Sequence, residues 1–132
     1  MLSQAHALKD GGIPIMEVTF RTEAAEACLL ALKSANLEGV CVGAGTVLTV
    51  AQAEAAANAG AEFIISPGVN PEVVRWCVAH DVPVFPGIAT PTDIQVGPRS
   101  TVGSASPTNL FPPHANRAPS CARAHCASFL VV

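Results

Sequence analysis

Four apolar, β-branched runs punctuate the chain before residue 90: 13-IPIMEVTF-20, 40-VCVGAGTV-47, 63-FIISPG-68 and 82-VPVFPGI-88. Their starts lie 27, 23 and 19 residues apart, the spacing of a strand–helix repeat with short loops. The segments between them are built from helix formers. Thr22-Glu23-Ala24-Ala25-Glu26 opens like a capped helix with acids in its first turn and continues through LLALKSA. Val50–Ala59 is alanine-rich and is stopped by Gly60. Asn70-Pro71-Glu72 sets a cap residue before a proline at the first helical position, and that helix is expected to end near Asp81.

Strands alternating with helices predict a parallel sheet with right-handed crossovers. The first run chooses between a barrel and an open sheet. Its even positions, Met16, Val18 and Phe20, are apolar after Pro14. Its odd positions change from Ile13 and Ile15 to Glu17, Thr19 and Arg21. A packed base and a reactive mouth at the C-terminal strand ends is the gradient of a barrel interior. The other runs also end in small or polar residues: Gly43-Ala44-Gly45-Thr46, Ser66-Pro67-Gly68 and Pro86-Gly87. The expected fold is therefore α/β, part of a (β/α)8 TIM barrel with about four βα units, since a closed barrel needs eight. Two open sheet edges and an uncovered apolar face follow from that count.

Composition divides the chain in two. All ten acidic residues lie between Asp10 and Asp93, and five of the eleven prolines follow residue 95. We assign 1–95 to the partial barrel and 96–132 to an irregular C-terminal tail, either disordered or read from a shifted frame. The net charge of −3 argues against a nucleic-acid partner. No apolar run is long enough for a membrane span, and no secretory signal is expected. Five cysteines, an odd number, fit reduced thiols in a cytoplasm.

The polar face of the first run is the first candidate for chemistry. A charge facing into a parallel sheet is costly unless paired or used. Glu17 and Arg21 would lie ~13 Å apart in a straight strand, too far to pair unless the strand bends. The segment 43-GAGT-46 could open a dinucleotide fingerprint, but Leu48 stands at its third glycine position. We read it instead as a barrel loop whose small residues admit substrate to the backbone and whose Thr46 hydroxyl binds it. The segments 66-SPG-68 and 86-PG-87 end strands abruptly and could also line a pocket. His114, Cys121, His125 and Cys126 fit no common zinc spacing, so no metal is expected.

Four stretches, GGIPIMEVTFRT, VGAGTVLT, AGAEFIISPG and VPVFPGIATPTDI, resemble in order and spacing the 2-keto-3-deoxy-6-phosphogluconate and 4-hydroxy-2-oxoglutarate aldolases. The resemblance spans about residues 5–95. It implies a class I aldolase of the cytoplasm, usually a homotrimer, that needs no cofactor or metal. A lysine forms a Schiff base with a 2-oxo acid, and retro-aldol cleavage yields pyruvate and glyceraldehyde 3-phosphate in the Entner–Doudoroff pathway. By the same resemblance Glu17 is the proton shuttle and Arg21 the carboxylate clamp. Thr46 helps hold that end of the substrate, and Pro67 contacts it from the next loop.

The match has gaps. The family's first strand and its last two βα units are not expected here. The only lysines, Lys9 and Lys33, fall in helices. The stretch 109-NLFPPHAN-116 is faintly similar to the family's Lys-Phe-Phe-Pro strand, with Asn109 at the lysine position. No Schiff-base lysine is therefore assigned, and the chain is expected to be inactive alone. The alternative is a non-catalytic module that binds 2-oxo acids or pairs with another subunit.

Overall fold

The computed structural model describes residues 1–96 and 129–131. Helix α1 (Leu2–Asp10) leads into strand β1 (Ile15–Thr19). Then follow α2 (Ala24–Ala35), β2 (Cys41–Gly45), α3 (Val50–Asn58), β3 (Ile64–Ser66), α4 (Pro71–Ala79), β4 (Val84–Pro86), α5 (Pro91–Val96) and β5 (Phe129–Val131). All pairings are parallel, and the strand order is β4-β3-β2-β1-β5. The α/β repeat expected from the spacing is present.

The register places Val18, Ala44, Ile64 and Val84 side by side across the sheet. With Met16 they form the face that packs against the helices. Ala25, Leu29 and Leu32 of α2, Ala53 and Ala56 of α3, and Val73, Val74 and Cys77 of α4 complete this core. The alanines of α3 join this core at little cost in side-chain entropy. The opposite face carries Glu17, Gly43, Gly45, Phe63 and Phe85. There Phe63 meets Phe85 edge to face, with ring centroids 6.1 Å apart.

Capping fixes where the helices begin. Thr49 and Gln52 form a reciprocal capping box at α3. The Asn70 side chain accepts from the Glu72 N–H (3.0 Å) while Pro71 opens α4, as the Asn-Pro pair predicts. Gly60 stops the α3 segment with φ +100°. Thr22 does not cap α2: the N-cap position falls on Glu23, without a side-chain bond, and only the Thr22 carbonyl accepts from Ala25 N.

Two expectations change. The strands are shorter than the apolar runs. β1 stops at Thr19, where the Arg21 N–H folds back onto the Thr19 carbonyl (2.9 Å). In addition, β5 pairs with β1 through Ile15↔Phe129 and Glu17↔Val131, so the β1 edge is not open. The rest of the tail, including Asn109 and the four candidate zinc ligands, lies outside the described residues.

Candidate functional site

Glu17 stands in the middle of β1, yet it is only 5% exposed. Two absent side chains on β2 explain how the sheet accommodates it and its surroundings. A Cβ at Gly45 would overlap the Glu17 carboxylate, and a Cβ at Gly43 would overlap the Phe63 ring. The acid therefore lies across β2 toward the C-terminal strand ends, with an aromatic pair on the same face. Burial raises its pKa above the ordinary 4.5, and the charge of Arg21 opposes the rise.

Arg21 is not on the strand. It sits exposed in the turn after β1, and that turn brings its charge within electrostatic reach of Glu17. This is the bend that a straight-strand reading lacked.

Thr46 follows β2 with φ +57°, a left-handed conformation that a β-branched residue rarely adopts. Its neighbours hold it there. The Gly45 carbonyl accepts from Phe20 N (2.7 Å), and Val47 N donates to the Ile65 carbonyl (3.1 Å). The next residues are anchored too, since the Asn70 amide donates to the Leu48 carbonyl at 3.0 Å. Pro67 is exposed just beyond β3, and its carbonyl oxygen faces Gly87, where a Cβ would collide with it.

The four residues singled out in the sequence thus lie on β1 or just beyond the C-terminal ends of three neighbouring strands. The structure joins Glu17 electrostatically to Arg21. It also sets the acid against Gly45, next to Thr46. Pro67 stands beyond β3, which β2 separates from β1. At Gly45 the group lying against the backbone is the Glu17 carboxylate. Ser66 is 2% exposed, and its hydroxyl donates to the Gly68 carbonyl (2.8 Å), which closes the turn after β3. Sequence reasoning did not foresee the bed that Gly43 and Gly45 make. The glycine–alanine–glycine alternation on one strand was its signal.

The lysines lie elsewhere. Lys9 is exposed on α1 and Lys33 on α2, where its aliphatic stem crosses Gly60. Among the described residues no group of three or more His, Cys, Asp or Glu side chains could hold a metal ion. No helix among them is long and apolar enough to cross a membrane.

The family model for KDPG and KHG aldolase matches residues 1–127. The chain belongs to this aldolase family. The match runs across the composition break at residue 95. A 2-dehydro-3-deoxy-phosphogluconate aldolase of Treponema pallidum is 53% identical over 91 residues, which cover 69% of this chain and 43% of the relative. The corresponding enzyme of Pseudomonas aeruginosa is 32% identical over 129 residues, 98% of this chain and 57% of its own. A KDPG aldolase from Legionella pneumophila, solved with pyruvate captured as a covalent carbinolamine intermediate, superposes with a TM-score of 0.69 at 38% identity. That match covers 73% of this chain and 46% of the Legionella chain. The chain therefore spans about half the length of the relatives it matches, and its sheet is part of a TIM barrel.

Proposed function

We propose that these residues form the acid–base and carboxylate-binding side of a class I aldolase pocket for 2-oxo acids, without the amine that forms the imine. One observation carries this reading. Glu17 is buried at the barrel mouth under the influence of Arg21, while both lysines are exposed on the outer helices. The expected roles follow from the chemistry of each group. The Arg21 guanidinium offers a planar fork to the carboxylate of a 2-oxo acid. Thr46, pinned at the same rim, presents its hydroxyl beside it. Glu17, its carboxyl pushed above the ordinary range by burial, is suited to give and take a proton. Pro67 borders the substrate from the β3 loop.

In a class I aldolase a lysine amine adds to the 2-oxo carbon, and water leaves to give the imine. The imine then accepts the electron pair of the breaking C3–C4 bond. Pyruvate and glyceraldehyde 3-phosphate are the products expected of the complete enzyme. Asn109 cannot perform the first step, because its amide nitrogen is not a nucleophilic amine. We expect no retro-aldol turnover of 2-keto-3-deoxy-6-phosphogluconate above the uncatalysed rate, measured by pyruvate release. Release that scales with protein concentration and is lost in E17Q would overturn this reading.

The charge of Arg21 acting on a buried acid favours a second reading, a non-catalytic 2-oxo-acid-binding module. Calorimetry with pyruvate separates the two. Saturable heat that disappears in R21A supports binding, and flat titrations exclude it.

A further inference from the structure

We infer that Gly45 is the positioning residue for Glu17: the absence of a side chain at 45 holds the carboxylate at the barrel mouth. The use of that carboxylate in proton transfer rests on the function proposed for Glu17, whereas its position follows from geometry.

A Cβ built on Gly45 would meet Glu17 Oε1 first, then Cδ and Cγ. No other residue stands among the three nearest atoms, so the space belongs to the acid. The backbone does not need glycine there for its conformation, because the described positive-φ glycines are Gly12, Gly39 and Gly60. Position 45 is therefore reserved for its space, and an alanine would fit the backbone but not the acid. Gly43, two residues earlier on the same face, is reserved for a different occupant, the Phe63 ring. The two glycines divide the labour: one seats the acid and the other seats the aromatic pair.

The register explains the direction of reach. Glu17 is level with Gly43, and Gly45 is level with Thr19. The Glu17 side chain thus leans forward along the sheet by one inward-facing position, away from the barrel base. Gly45 also accepts the Phe20 N–H through its carbonyl, so the seat is tied to the turn that delivers Arg21. A side chain at 45 would push the carboxylate off that seat and out of its buried environment.

The test compares Gly45→Ala with Gly43→Ala and follows the Glu17 carboxyl by 13C NMR, its signal assigned through its loss in E17Q. G45A is expected to move the Glu17 titration down toward that of an ordinary glutamate, because the displaced acid regains water. G43A is expected to leave that titration in place while shifting the Phe63 and Phe85 ring signals. A Glu17 titration unchanged in G45A, or moved equally by both variants, overturns the proposal. If G45A does not fold, the double variant E17A/G45A decides. The proposal requires the double variant to fold, since removing the carboxylate vacates the space, and its failure to fold refutes it. None of these readouts involves substrate, so the proposal and the functional reading fail separately.

Discussion

Arg21 leaves the strand that carries Glu17, turns back at Thr19, and brings its charge to bear on the buried carboxylate. Desolvation nevertheless outweighs that attraction, and the acid titrates above its ordinary range. Arg21→Met removes the opposing charge and should raise the Glu17 pKa further. NMR titration of the carboxyl checks this, and an unchanged or lowered value would break the link between the two residues.

Glu17 should also weaken the fold as it ionises. Its native pKa lies above the unfolded value, so the folded chain holds the proton more tightly. Its contribution is fully present below pH 4.5 and is lost as pH rises through the raised native value. Urea midpoints of E17Q should exceed those of the parent at neutral pH and converge with them in acid. A parent that is as stable at neutral pH as E17Q would contradict the burial account.

Asp93 titrates in the opposite sense. Its carboxylate accepts from the Ala89 and Thr90 N–H groups at 3.0 and 2.9 Å, which holds its pKa below 3.8. The stabilisation it gives to the start of α5 is present above 3.8 and is lost as pH falls through the lower native value. In Asp93→Asn the exchange protection of the Ala89 and Thr90 amides should fall near neutrality. Unaltered protection would remove the carboxylate from this cap.

Gly43→Ala forces a methyl into the Phe63 ring and should cost about 1–3 kcal/mol by overpacking. Adding Phe63→Leu should recover part of that loss, and urea unfolding of the single and double variants reads the coupling. Additive losses would mean that Gly43 is needed for another reason.

Much of this arrangement could be read from the sequence. The four β-rich runs, the Asn70-Pro71 cap and the Gly60 stop follow from local chemistry, and the local chemistry won. The polar gradient from Ile15 to Glu17 and Arg21 marks the end of β1 at which the charged residues gather. The turn at Arg21 was not legible, because alternation alone carries no sign of where a strand stops. The seat at Gly45 depends on a neighbouring strand's side chain, which no single run encodes. β5 escaped because three residues in a segment with no acids and no period give almost no pattern. The sequence points to the Thr46 hydroxyl, whereas its left-handed backbone is visible only in three dimensions.

We propose that this chain keeps the acid and the clamp of a 2-oxo-acid pocket but not its imine-forming amine. Incubation with pyruvate and borohydride, followed by intact-mass and peptide mass spectrometry, tests it most directly. The account predicts no stoichiometric adduct on Lys9 or Lys33. A site-specific adduct on either lysine, formed at one per chain and diminished in E17Q, would contradict it.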